Sequence, residues 1–142
     1  MEYNVTEADD VPVTDLSKID EIPPDLDIRA LDEALGTENV NLKLWYFDEG
    51  EEIQYHAHSE QEEIFYVIEG EFSVKLGRSG EAEIREVGEG GAWVASPMIG
   101  HGHRCISGDG GTILAIGAPS IEDPGLDPHR LDDEEIDQAI EE

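Results

Sequence analysis

Residues 50–71 read GEEIQYHAHSEQEEIFYVIEGE, and the fold turns on how this stretch alternates. Gly50 and Gly70 mark turns at its two ends, after Asp48-Glu49 and after Glu69. His56 and His58 are two apart, so on a strand they project to one face, roughly 6.5–7 Å apart along the backbone. Glu62 and Glu63 are adjacent, so only one of them can share the inward face with Phe65 and Val67.

Working outward, the same short-strand grammar recurs. Glycine turns lie at 77–80, 88–91 and 108–111, and between the turns sit short runs at 53–56, 64–68, 72–76, 82–87, 92–95, 101–106 and 112–116. Upstream, 40–47 (VNLKLWYF) places Val40, Leu42, Leu44 and Tyr46 on one face with a period of two. Residues 28–35 read as a short strand and a turn ending at Gly36. No long helical pattern separates these runs, which excludes a parallel α/β sheet and points to an all-β sandwich, jelly roll or barrel. No internal repeat is present.

The ends read differently. Pro12, Pro23 and Pro24 break any helical period in 1–27, which is expected to be an extended acidic arm that docks in places. Near the C-terminus, Asp132 and Glu135 have capping-box spacing, Leu131 can staple onto Ile136, and Ile136 and Ile140 share a face, so a short helix is expected there.

Charge excludes whole classes of partner. Eight basic residues against 36 acidic ones leave a net charge of −28 in 142 residues, which repels phosphate backbones and anionic headgroups. Nine acids fall in 1–27 and ten in 122–142, but the rest are spread through the middle, against three lysines in the chain. Acidic tails alone do not produce that distribution; a surface adapted to high salt does. The single cysteine, Cys105, excludes an intrachain disulfide and a Cys-based zinc site. With no apolar run near ~18 residues and no signal-peptide pattern at the start, a cytoplasmic protein is expected.

The second histidine pair, His101-Gly102-His103, turns a common residue into a pattern. One His-x-His is ordinary; two such pairs in a small β protein, the first followed by carboxylates, form a candidate metal site. The first stretch has the spacing G-x5-H-x-H-x4-E-x6-G and resembles the first motif of the cupin family, whose two histidines and glutamate bind a metal inside a β-barrel. The resemblance carries those roles onto His56, His58 and Glu63, and the distance to Gly70 selects Glu63 over Glu62. The family's second motif, G-x5-P-x-G-x2-H-x3-N, is degenerate here. Aligned without gaps from Gly90, Ser96 stands at the proline, Met98 at the glycine, His101 at the histidine and Cys105 at the asparagine. His101 is then the fourth ligand. The alternative is His103, which copies the local G-x2-H from Gly100 and needs a one-residue bulge near Pro97.

The resemblance spans about residues 28–119 and implies a double-stranded β-helix, or jelly-roll barrel, with 1–27 and 120–142 outside it as acidic arm and acidic C-terminal segment. It implies one divalent transition metal ion, with Fe, Mn, Zn, Ni and Cu all suited to three imidazoles and a carboxylate. Phe65, Val67, His103 and Cys105 are expected to line the pocket. A homodimer is expected, because open sheets need their edges covered. Two functions remain open: a metal-dependent enzyme on a small organic molecule, of dioxygenase, isomerase or decarboxylase type, and a non-catalytic module that binds or senses a small molecule.

The charge generates a first prediction. Screening lengths fall from ~30 Å at 0.01 M salt to ~3 Å at 1 M, so the melting temperature should rise steeply with added salt. A melting temperature that stays flat in thermal denaturation from dilute buffer to molar salt would contradict the salt-adapted reading.

Overall fold

The computed structural model describes residues 3–15 and 26–120. Nine strands form two antiparallel sheets: β1 (Asp27–Ala30), β2 (Asn41–Phe47), β3 (Glu52–His56), β4 (Glu62–Glu69), β5 (Phe72–Leu76), β6 (Glu83–Val87), β7 (Ala92–Ala95), β8 (His101–Cys105) and β9 (Gly111–Ala118). The five-stranded sheet runs β1-β2-β9-β4-β7 and the four-stranded sheet β3-β8-β5-β6. This is the double-stranded β-helix. Among the described residues no helix is long and apolar enough to cross a membrane. The expected C-terminal helix lies outside the described residues.

The arm's described part contains a single turn of 3₁₀ helix, Ala8–Asp10, and then touches the barrel. Val11 is buried, and Val13 bridges Arg29 on β1. Residues 28–35 divide into β1 and a five-residue helix, α1 (Leu31–Leu35), which Gly36 ends in the left-handed region at φ 76°. Asp32 of α1 is buried and accepts hydrogen bonds from Lys43 Nζ (2.8 and 2.9 Å) and the Leu42 amide (2.9 Å), tying the helix to β2.

The core lies between the sheets. Phe65 and Val67 of β4, Phe72 and Val74 of β5, Cys105 of β8 and Ile113 of β9 are all completely enclosed. On β2 the core takes Trp45 and Phe47, not the Leu42–Leu44–Tyr46 set whose alternation is so regular in the sequence. Both faces of β2 are apolar, so periodicity shows a strand there without showing which face turns inward.

Strand β3 pairs with β8 through Ile53↔His103 and His56↔His101, with two residues between the pairs on β3 against one on β8. This is a β-bulge. It rephases β3, so that Ile53 and His56 both meet inward residues of β8 while Tyr55 turns to the outer face. The tyrosine ring lies over Gly100, with its hydroxyl donating to the Gly77 carbonyl and Lys75 Nζ 4.2 Å from the ring centroid. A Cβ at Gly102 would stand 2.9 Å from the Tyr55 nitrogen and 3.0 Å from the Ile53 carbonyl oxygen, both backbone atoms. Gly102→Ala should therefore cost about 1–3 kcal/mol, read as a lowered urea midpoint. An unchanged midpoint would show that the bulge has slack.

Candidate metal centre

Four side chains from three strands and one loop converge at one end of the barrel. One donor atom each from His56, His58, Glu63 and His101 lies within 4.8 Å of all the others. His56 comes inward through the bulge. His58 follows β3 in the loop, and its carbonyl accepts the Met98 amide at 2.6 Å. That bond clips the β7–β8 loop to the site. Met98, which stands where the family's second motif has glycine, holds a left-handed φ of 69°. A non-glycine residue there costs about 1–2 kcal/mol, sustained by burial of the Met98 side chain. The cross-strand neighbours of Glu63 are small, Ala95 on β7 and Gly117 on β9, and the Gln61 side chain packs over Gly117. Glu62 is exposed on the opposite face.

The ring nitrogens are sorted as a metal requires. Nδ1 of His56 donates to the Gln54 carbonyl at 2.7 Å, and Nδ1 of His101 to the Ile99 carbonyl at 3.1 Å, which leaves both Nε2 lone pairs facing inward. The Nε2 atoms of His56 and His58 are 3.2 Å apart. Two ligands each about 2.0–2.1 Å from one ion span about that distance. Glu63 Oε1 lies 2.6 Å from His58 Nε2 and 3.3 Å from His101 Nε2. Although these are close ion-pair contacts, Glu63 Oε1 and His101 Nε2 are sealed from solvent without a well-formed hydrogen bond. A buried carboxylate and imidazole without such partners are what a cation would satisfy. The residues fit a metal. His58 keeps partial exposure while His101 is enclosed, so the cluster is reached from the His58 side.

The electrostatics agree with a cation-ready site. Burial is the main cause that lowers His56 to about 4, so its imidazole is neutral at pH 7. Burial pushes the Glu63 carboxyl up, but the close imidazoles of His101 and His58 outweigh it and hold the group below the ordinary carboxylate range.

His103 sits elsewhere. It is outside the donor cluster and among aromatic rings, stacked on Trp45 (centroids 5.3 Å, planes at 17°) with Phe65 at 5.2 Å and Trp93 at 5.5 Å. Neither ring nitrogen has a hydrogen-bond partner, and burial lowers its pKa to about 3. The structure thus groups His101 and not His103 with the first-motif residues. Phe65, Val67 and Cys105 belong to the packed core, and of these Phe65 reaches the cluster, 5.7 Å from His101. Sequence reading overlooked the aromatic layer of Trp45 and Trp93 beside His103, because cross-strand register brings those residues together.

The comparisons with known proteins follow the same line. The model of the cupin domain matches residues 43–117, slightly over half of the chain. The chain belongs to the cupin family. Among solved structures this cupin is similar to KdgF from a Halomonas species (25% identity, TM-score 0.60, covering 71% of this chain and 86% of that one). It is similar in fold to an RmlC-like cupin from Shewanella frigidimarina (23% identity, TM-score 0.65, 86% and 97% covered). It also resembles oxalate decarboxylase from Bacillus subtilis (20% identity, TM-score 0.66, 82% of this chain but 30% of that one). No curated protein matches the cupin significantly.

A pH prediction follows from His103. Its folded pKa is depressed, so the unfolded chain takes up a proton below about 6.5 while the folded one resists until about 3. Stability is therefore complete above pH 6.5 and falls as pH drops through that window, by a few kcal/mol. His56 adds to the loss between about 6.5 and about 4. Urea titrations of the metal-free protein should show a shallower decline in His103→Leu than in wild type. Identical pH slopes would mean that His103 finds a partner for its proton.

Proposed function

We propose that this cupin holds one divalent transition ion, with Fe, Mn, Zn, Ni and Cu as candidates, through His56, His58, Glu63 and His101. At that ion it acts on a small organic molecule. The observation that carries the reading is the convergence of the four donor atoms, with His56 and His101 already locked in the metal-binding tautomer. The barrel of residues 28–119 is the working unit, with the acidic segments 1–27 and 120–142 outside it.

A bound ion supplies Lewis acidity or redox chemistry at the cluster. The chain's own contribution is positional. Backbone carbonyls of Gln54 and Ile99 fix two imidazoles, and Glu63 brings one negative charge. Phe65 and Trp93, stacked at 5.2 Å, present an aromatic wall on the inner side. Among the described residues no Lys or Arg is buried, so an anionic substrate would find no protein cation inside the barrel. This favours an uncharged small molecule, or one whose anionic group is taken by the ion. Dioxygenase, isomerase and decarboxylase chemistry all remain compatible with such a site. The second reading is a non-catalytic binding or sensing module. It is favoured by the enclosure of His103 and Cys105, which leaves neither of them open beside the cluster as an acid–base group.

Metal analysis of purified protein tests the site. Wild type should retain one ion per chain, and His56→Ala/His58→Ala should lose it while keeping the β circular-dichroism spectrum. Glu63→Gln should weaken affinity by about 10–100-fold or more, with Glu62→Gln unchanged. His101→Ala should strip the ion and His103→Leu should keep it. Retention by the double histidine variant would overturn the site; loss in His103→Leu alone would overturn the ligand assignment. Oxygen uptake and product analysis with catechols, β-diketones and keto acids then separate the readings. Turnover that disappears in the double variant supports an enzyme, and ligand-induced thermal stabilisation without turnover supports a binding module.

A further inference from the structure

Residues 53–56, Ile-Gln-Tyr-His, alternate apolar and polar, so a regular strand would turn Ile53 and Tyr55 inward and Gln54 and His56 outward. The structure does the reverse from Tyr55 on: His56 enters the donor cluster and Tyr55 takes the outer face. Local pattern and observed register disagree here, and a disagreement of this kind marks a place where function overrides the pattern. A slip of one residue would restore the pattern and carry His56 out of the site. Something must hold the bulge.

The outer face supplies a clamp. The Tyr55 hydroxyl donates to the carbonyl of Gly77, in the turn after β5. The Gly77 amide donates in its turn to the Gly100 carbonyl at 3.0 Å. Gly100 lies against the tyrosine ring, where a Cβ would collide with Cζ and Oη. Lys75 Nζ adds a cation–π contact, 4.2 Å from the ring centroid. Gly77 thus grips two segments at once, and each leads directly into a donor: Tyr55 precedes His56, and Gly100 precedes His101. The carbonyls that orient these two imidazoles belong to Gln54 and Ile99, the residues on the other side of Tyr55 and Gly100. A shift of the clamp moves each imidazole together with the carbonyl that orients it.

We propose that Tyr55 is a positioning residue for the metal centre: through Gly77 and Gly100 it keeps the bulge in β3 and so holds His56, and with it His101, on the ion. The inference rests on the four-donor site proposed above. Tyr55 acts through the backbone, from the face of the sheet opposite the donors. Where the clamp opens, the regular register is populated, and apparent affinity for the ion falls by the fraction of molecules lost to it.

Two measurements on the full chain test this. Competition titrations with Zn(II) against a chromogenic chelator read affinity. Diethyl pyrocarbonate labelling of the metal-free protein, mapped by mass spectrometry, reads how far His56 is withdrawn from solvent. Tyr55→Phe removes the hydroxyl and keeps the ring, and should weaken Zn(II) binding by about 2–10-fold. Tyr55→Ala removes both; it should weaken binding by about 10–100-fold and speed the labelling of His56. Ile113→Val, in the enclosed core of β9, should lower the urea midpoint and move neither readout. Matching losses in Ile113→Val overturn the inference, because general loosening then suffices. Wild-type affinity and labelling in Tyr55→Ala overturn it as well, and where that variant does not fold, the same result in Tyr55→Phe does so. A wild type that holds neither Zn(II) nor an ion as purified overturns the reading of the site instead. Labelling alone then decides the clamp: faster modification of His56 in Tyr55→Ala upholds it, and an unchanged rate overturns it.

Discussion

The pairing of β3 with β8 carries one unmatched residue between Ile53 and His56, and the position of the donor atoms depends on it. Under strict alternation Tyr55 would share the face of Ile53 and His56 would point to solvent. The bulge reverses this. It needs Gly100 beneath the displaced tyrosine ring and Gly102 against the backbone of Ile53 and Tyr55, so the glycine between the two histidines of β8 serves the histidine of β3. Metal binding and sheet packing are one constraint at this point.

Inside the barrel, side-chain size divides the volume. Ala95 and Gly117 flank Glu63 where the donors meet, and Gln61 fills the space over Gly117. One layer further in, Phe65, Trp93, Trp45 and His103 fill the section ring against ring. Any molecule acting at the cluster therefore meets an aromatic floor instead of a deep channel. His103 belongs to this floor. As a neutral ring stacked on Trp45 it packs as an aromatic, at the cost of two ring nitrogens without partners.

The surface obeys a different rule. Thirty-six acids keep most of it hydrated and mutually repelling, which makes the exposed Ile64, Tyr66 and Ile68 of β4 and Val94 of β7 conspicuous. Apolar alternation on both faces of β2 and β4 has two separate causes: one face builds the core, and the other has no partner within the described chain.

The strands, the glycine turns and the candidate ligands were legible in the residues themselves. Alternation has a period of two, glycine is needed at left-handed positions such as Gly50 and Gly70, and the spacing of His56, His58 and Glu63 lies within one local stretch. The choice of Glu63 over Glu62 rested on that spacing, and the structure buries Glu63. What lay beyond reach depends on partners distant in sequence. Whether Trp45 or Leu44 faces the core is set by which sheet β2 joins, and whether His101 or His103 meets the first pair is set by register against β3. The bulge falls in β3, where the local residues carry no signal for it. A one-residue change in pairing inverts every side chain beyond it, and only the assembled sheets decide where that change occurs.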